Sequence, residues 1–224
     1  NHEELKQFVD SGKLQWFAHK EFLKDFYQHF IQTDLYKNYM AEEERSLNED
    51  LQLIVDLYSQ VLPEYDPLFH HLEELSIYWN DEVELVISFA IKSIRNLSSE
   101  EGDGGLLFPL YRKEEDKEYA QRLLRKTILH YSEYDELIEQ NSQNWDMERI
   151  AYMDILIMKM AITEMLEFTS IPTKVTLDEY IEIAKYYSTE KSNVFINGIL
   201  DKIIAQLKEE NRIQKHGRGL IGEV

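Results

Sequence analysis

The sequence predicts an all-α protein of two packed helical bundles, with an extended acidic N-terminal half. Apolar residues recur at intervals of three and four along most of the 224 residues, a spacing that places them on one face of a helix. No segment shows the sustained alternation of apolar and polar residues that is typical of a half-buried strand. A chain of this length buries a substantial core without a disulfide or a structural metal.

Three helices are expected in the first half of the chain: residues 23–31, 47–62 and 81–97. Ser46 and Glu49 form a capping box before the second helix, because each side chain accepts an amide proton from the other residue. Pro63 and Pro67 are expected to end that helix, since proline has no amide proton to donate. The glycine-rich residues 98–109 are expected to form a flexible connector.

The second half begins with an amphipathic helix over residues 113–131, which carries Arg122, Arg125 and Lys126 away from its apolar face. A shorter helix, capped by Ser132, is expected to follow and to reach a polar turn at residues 140–143. The expected boundary between the bundles lies at this turn. The first bundle is thus expected over residues 1–143 and the second over residues 144–210. Residues 211–224 are expected to form a flexible, mildly basic tail.

Residues 151–165 are apolar nearly all round, so this helix is expected at the centre of the second bundle. Thr176 and Glu179 are expected to cap the next helix. The last helix is expected to bury one apolar stripe: Ile196, Ile199, Leu200, Ile203 and Leu207.

Composition restricts the function more than it defines it. The chain has no cysteine, which fits a reducing compartment and makes the cytoplasm the expected location. The formal net charge is −19, and residues 1–111 contribute −14 of it (22 acids, 8 bases) while residues 112–224 contribute −5 (21 acids, 16 bases). Phosphate binding depends on basic residues, so a nucleic-acid surface is expected only in the second half. No apolar run reaches the ~18 residues of a membrane span.

Neither a catalytic site nor a metal site is expected. The abundant acids follow helical spacing on what are expected to be solvated faces. His70 and His71 are the best metal candidates, but neighbouring side chains on a helix point about 100 degrees apart and do not readily share one ion. We therefore expect no metal, no cofactor and no catalysis.

Three segments of the second half resemble the NusB family. They are Asn-Trp-Asp-Met-Glu-Arg-Ile from Asn144, the helix ending Met-Ala-Ile-Thr-Glu-Met-Leu at Leu166, and Phe-Ile-Asn-Gly-Ile-Leu-Asp-Lys from Phe195. The resemblance implies an all-helical transcription antitermination factor. Its implied partners are boxA-type leader RNA, the ribosomal protein that serves as NusE, and the transcription elongation complex. The family's arginine-rich first helix has no counterpart before Arg45, the first arginine here.

The resemblance implies that RNA lies beside the start of the last helix, at Phe195 and Asn197. An aromatic ring there either stacks on an unpaired base or belongs to the core. Lys191 and Ser192, just before it, suit phosphate and sugar oxygens. Gly198 inside a helix costs ~1 kcal/mol relative to alanine, which suggests that another backbone approaches closely. The resemblance implies that Gly198 lies beside the RNA, and helix packing around a small residue is the alternative explanation.

The sequence leaves open where the protein partner binds and whether antitermination is the function. For the first, the basic face with Arg122, Arg125 and Lys126 is a candidate surface. Two other functions compete with antitermination. One is a protein-interaction scaffold that has lost most RNA binding, which the charge of −19 favours. The other is an RNA-binding module related to that of ribosomal RNA cytosine methyltransferases, which here has no cysteine nucleophile.

Overall fold

The computed structural model describes residues 3–12, 16–43, 46–97, 109, 111–142 and 150–222. The described residues form helices and turns and no strand, so the all-α prediction is confirmed. The chain divides into two compact units, residues 1–110 and 111–224. None of the described helices is long and apolar enough to cross a membrane. The predicted glycine-rich connector lies almost entirely outside the described residues.

The first unit contains short helices joined by tight turns. Its helices are α1 (Glu3–Gly12), α2 (Lys20–Phe30), α3 (Asp34–Ala41), α4 (Leu47–Asp56), α5 (Asp66–Leu75) and α6 (Val83–Leu97). A core of apolar side chains holds α5 to α6: Tyr65, Leu68, Leu72, Val83 and Ile87. Phe22 and Phe26 of α2 pack against this core, and their nearly parallel rings lie 6.5 Å apart between centroids.

The predicted capping box before α4 is confirmed. The Ser46 amide donates to the Glu49 carboxylate at 2.6 Å, and the Ser46 hydroxyl accepts from the Glu49 amide at 3.4 Å. The helix continues beyond Asp56 as a wide π turn over Leu57–Val61, so the expected helix over residues 47–62 is continuous. Pro67 does not follow the helix end but lies in the first turn of α5, where a missing amide proton costs nothing.

The second unit is a bundle around one buried helix. Its helices are α7 (Glu114–Leu129), α8 (Tyr131–Asn141), α9 (Tyr152–Glu167), α10 (Thr173–Tyr187) and α11 (Ser192–Glu209). The expected central position of α9 is confirmed, since α7, α8, α10 and α11 all pack on it. Met158, Ala161, Ile162 and Met165 of α9 have no measurable exposure. The predicted buried stripe of α11 is also confirmed, from Ile196 to Leu207.

This core contains a buried lysine. Lys159, in the middle of α9, is fully buried, and its Nζ lies 2.7 Å from Oδ1 of Asp135 on α8. A buried ammonium without a counter-charge is strongly destabilising. This ion pair therefore holds α8 to α9 at one position along their length.

The division between the units differs from the expected boundary at residues 143/144. The units divide between Leu110 and Tyr111, because α7 and α8 pack on α9 and so belong to the second bundle. The start of α10 also differs from the prediction. It begins at Thr173 after Pro172, and the Thr176 hydroxyl donates back to the Pro172 carbonyl at 3.5 Å, so Thr176 lies inside the first turn.

The tail was expected to be flexible, but its described residues are held against the bundle. Asn211 adopts a left-handed conformation (φ 55°) that ends α11. The Lys215 ammonium, which is 7% exposed, donates to the Phe168 carbonyl at 3.1 Å. The His216 amide donates to the Thr169 carbonyl at 2.9 Å. These long-range contacts fix residues 212–222 across the turn between α9 and α10.

Candidate nucleic-acid interface

An open groove of about 820 Å³ lies between the start of α9 and the start of α11. Its lining combines apolar, hydroxyl and basic side chains: Ile150, Ala151, Asp154, Thr189, Lys191, Ser192, Val194, Phe195, Gly198, Ile199 and Lys202. The predicted residues Lys191, Ser192 and Phe195 therefore meet in one concave surface. Asn197 is not part of this lining, and its amide instead donates to Asp201 at 3.3 Å.

A buried carboxylate holds the two walls of the groove together. Asp154 of α9 is 5% exposed and accepts hydrogen bonds from the hydroxyls of Ser188 and Ser192. The Ser192 hydroxyl also accepts the Thr189 amide at 3.2 Å. The Ser192 side chain is 2% exposed, and its hydroxyl is already used in this network. Ser192 therefore holds the start of α11 in position.

The groove side of α11 follows a regular sequence pattern. Lys191, Phe195, Gly198 and Lys202 are spaced by four, three and four residues, which places them on one face of a helix. Lys202 was not among the predicted site residues, although its spacing of seven residues from Phe195 places it on the same helix face. Lysines therefore lie towards both ends of a surface whose centre is an aromatic ring and a glycine.

Phe195 occupies an intermediate position between the two alternatives left open by the sequence. Its side chain is partly buried and packs against the core of the second unit, yet it also lines the groove. The ring thus takes part in the packing of the second unit and also borders the groove. A ring held in this way loses little further freedom when a base stacks on it.

The close backbone approach expected at Gly198 is not found among the described residues. A Cβ atom built at this position meets none of their atoms within 4 Å. Gly198 is exposed and lines the groove, so its missing side chain leaves space beside Phe195 on the described side of the groove. Packing against the described helices therefore does not require a glycine here, even though glycine weakens a helix by ~1 kcal/mol relative to alanine.

The electrostatics at this end of α11 favour an anion. The first turn of α11 contains no acidic residue, and Lys191 immediately precedes it. The unpaired amides at a helix start carry a partial positive charge, which stabilises negative groups nearby. Among the described lining residues the carboxylate is that of Asp154, which is buried and accepts hydrogen bonds from hydroxyl groups.

The basic face of α7 is partly neutralised. The guanidinium of Arg122 contacts the Glu167 carbonyl at 2.7 Å and its carboxylate at 3.4 Å, and Lys126 lies 3.0 Å from the same carboxylate. Burial alone would raise the pKa of Glu167, but the hydrogen bonds from Lys126 and Arg122 outweigh it and lower the pKa. Arg125 instead lies beside the exposed side chains of Leu124 and Ile128.

No group of three or more histidine, aspartate or glutamate side chains converges to hold a metal ion within the described ranges.

The fold and the groove define an all-helical bundle protein with a candidate nucleic-acid interface. The sequence model of the NusB family matches residues 85–205, which are 121 of the 224 residues. The chain belongs to the NusB family, as the resemblance indicated.

Individual relatives agree with this assignment. The transcription antitermination protein NusB of Salinibacter ruber is 45% identical over 114 residues, which are 51% of this chain and 71% of that protein. The protein of the same name from Chloroherpeton thalassium is 39% identical over 47% of this chain and 50% of its own length. That of Natranaerobius thermophilus is 39% identical over 41% of this chain and 66% of its own length. A solved structure of T. maritima NusB is 28% identical, covers 73% of this chain and 94% of that chain, and has a TM-score of 0.41.

Proposed function

We propose that this protein is a transcription antitermination factor of the NusB type that binds boxA-like leader RNA in the groove, together with the ribosomal protein NusE, and without catalysis. Its relatives carry the name transcription antitermination protein NusB. The RNA, the NusE partner and the elongation complex are part of this proposal. The cytoplasmic location expected from the sequence stays a prediction.

The observation that carries the proposal is the open space beside Gly198. A glycine in the interior of an 18-residue helix costs stability, and no atom in the described part of the chain lies close enough to explain it. The space lies next to the partly exposed Phe195 and between Lys191 and Lys202. An unpaired base fills such a space by stacking on the ring, while the flanking phosphates pair with the lysines.

Two predicted residues take different roles in this proposal. Ser192 positions the start of α11 through Asp154, and any contact with RNA comes from its backbone. Asn197 lies one residue before Gly198 but points its amide to Asp201. We therefore assign the RNA contacts to Lys191, Phe195 and Lys202. Gly198 leaves the space that the unpaired base would fill.

The proposed partner surface is the basic face of α7. Of the three basic residues of α7, Arg122 and Lys126 already pair with Glu167, while Arg125 borders an exposed apolar stripe with Leu124 and Ile128. An apolar stripe bordered by one cation suits a protein better than a nucleic acid. We keep this face as the candidate surface for the NusE partner.

The test is RNA binding by the intact protein with its NusE partner, measured by fluorescence anisotropy over a range of salt concentrations. Lys202→Ala should weaken binding and reduce the slope of log K against log salt by about 0.7, the value for one phosphate contact to a single strand. Lys208→Ala is the matched control, because Lys208 is an exposed lysine of α11 that does not line the groove.

Equal effects of the two substitutions would contradict a specific role for the groove. The charge of −19 supports one competing function, a protein-interaction scaffold without RNA binding. The scaffold would bind NusE with normal affinity and would show no boxA binding at any salt concentration. The same titration therefore separates the two functions.

A further inference from the structure

The segment after α11 is anchored on both sides of the α9–α10 turn. Arg212 pairs with Glu133 of α8, and Ile213 packs against the core of the second unit. The ammonium of Lys215 and the amide of His216 then donate to the carbonyls of Phe168 and Thr169. Residues 212–222 form a strap with a defined path, which we call the C-terminal strap.

Two glycines in the strap frame one exposed arginine. Gly217 has a φ of +58°, a conformation that side chains other than glycine rarely adopt. Gly219 is buried, and a Cβ atom there would lie 2.1 Å from the Thr169 carbonyl oxygen. Arg218, between them, is exposed. The backbone on both sides of Arg218 is therefore fixed, and its position next to the α9–α10 turn is determined by packing.

Arg218 pairs with no carboxylate among the described residues, although the chain carries 43 acids. Other cations lie around the same turn. The guanidinium of Arg122 lies 4.9 Å above the Phe168 ring, and Lys126 shares the Glu167 carboxylate with it. Lys174 is exposed in the first turn of α10, which contains no acidic residue. This end of α9 is basic on a strongly acidic protein.

We propose that Arg218, with Lys174, forms a second surface for RNA phosphates, contacted by nucleotides beyond those held in the groove. This inference rests on the proposed function. The groove lies at Asp154 in the first turn of α9, and the strap contacts Phe168, 14 residues further along. At 1.5 Å per residue the two surfaces are ~20 Å apart along the helix axis.

That distance gives the proposal a length requirement. With an axial rise of about 3.4 Å per nucleotide, as in a stacked strand, ~20 Å corresponds to about six nucleotides. An RNA that ends at the groove cannot reach Arg218, whereas one extended by six or more nucleotides can. An acidic protein segment is the competing ligand, but it would have no such dependence on the length of the RNA.

The experiment compares wild type and Arg218→Ala, each with the NusE partner, on a short boxA RNA and on RNAs extended on either side. On one extended RNA the substitution should lower affinity about fivefold at 0.1 M salt, since one phosphate contact contributes a slope of about 0.7. The short RNA should bind both proteins equally. Gly219→Ala, which displaces the strap, should reproduce the length-dependent loss, and Lys37→Ala in the first unit is the control for a general loss of charge.

Equal binding of wild type and Arg218→Ala on every extended RNA would overturn the inference, as would an equal loss on short and extended RNAs. Weaker binding of a protein partner, with all RNA affinities unchanged, would show that the surface takes an acidic protein and would also overturn it. If the short RNA binds and depends on Lys202, the proposed function stands even when this inference fails. If no RNA binds, both fail.

Discussion

The hydroxyl of Ser192 donates a hydrogen bond of 3.0 Å to the carboxylate of Asp154, and this contact joins the start of α11 to the first turn of α9. Both residues are buried, and the same carboxylate accepts a second hydrogen bond, from the hydroxyl of Ser188. The two helix starts form opposite walls of the groove, so the geometry of the groove depends on this pair.

The first prediction concerns Asp154. Asp154→Ala should lower the free energy of unfolding by about 1–3 kcal/mol, because the buried Ser192 hydroxyl and the partly buried Ser188 hydroxyl lose their acceptor. It should also weaken RNA binding, since the walls of the groove are no longer joined. Asp154→Asn keeps an acceptor oxygen and should have a smaller effect on both quantities. Urea unfolding gives the stability, and an unchanged midpoint for Asp154→Ala would show that the network contributes nothing.

The second prediction separates stability from binding at Gly198. Gly198→Ala should stabilise the protein by up to about 1 kcal/mol, because α11 gains helix propensity and a Cβ atom meets no neighbour. The same change should weaken RNA binding by narrowing the space beside Phe195, and Gly198→Leu should weaken it further. The control is Ala205→Gly at an exposed position of α11, which should cost about 1 kcal/mol and leave binding unchanged. A Gly198→Leu protein that binds RNA normally would argue against a base in this space.

The third prediction concerns a buried carboxylate between α7 and α9. The Tyr119 hydroxyl donates a hydrogen bond to Glu164, which is 4% exposed. Burial, as the larger cause, and this hydrogen bond both raise the pKa of Tyr119. Tyr119→Phe should cost about 1–3 kcal/mol, because Glu164 loses a donor. A double-mutant cycle with Glu164→Gln checks the cause. The cost of Tyr119→Phe should be smaller in the Gln background, and equal costs would show that the two side chains do not interact energetically.

The fourth prediction concerns acid stability through Glu167. Hydrogen bonds from Lys126 and Arg122 lower the pKa of this carboxyl despite partial burial, so the folded state binds the proton more weakly than the unfolded state. The stabilisation is therefore present above the ordinary pKa of glutamate, and it is lost as the pH falls through the lower pKa of the folded state. Glu167→Gln should be less stable than wild type at pH 7, and the difference should shrink towards pH 3.

Glu115→Gln is the control for this titration, because Glu115 is an exposed glutamate of the same region. The change of the stability difference with pH should be larger for Glu167→Gln than for this control. Thermal unfolding at matched ionic strength measures all three proteins. A difference between wild type and Glu167→Gln that stays constant down to pH 3 would exclude the ion pair as its source.

Local features of the sequence predicted most of the helices. The three- and four-residue spacing gave α2, α4, α6, α7, α9 and α11, and the pair Ser46 and Glu49 identified a capping box that depends on only four consecutive residues. The division into units was not predictable in this way. Whether α7 and α8 belong to the first or the second bundle depends on their packing against α9, which is a contact between distant parts of the chain.

The candidate site was predicted unevenly for the same reason. Phe195 and Lys191 came from a motif near the start of α11, and the spacing to Lys202 was present in the sequence. The environment of Gly198 was not predictable, because the sequence of a helix does not state what lies opposite each residue. The strap was expected to be flexible since its glycines and charges resemble those of a linker, whereas buried Lys215 and Gly219 are fixed by partners about 50 residues earlier.

The buried ammonium of Lys159 has a consequence for the whole second bundle. A purely apolar helix could slide by one turn against its neighbours and still bury its side chains. In α9 such a shift would separate Lys159 from Asp135 and leave a buried cation without its partner. It would also break the contacts that the buried carboxylates of Asp154 and Glu164 make with α11 and α7. These contacts together oppose a shift, so both ends of α9, one at the groove and one at the strap, keep fixed neighbours.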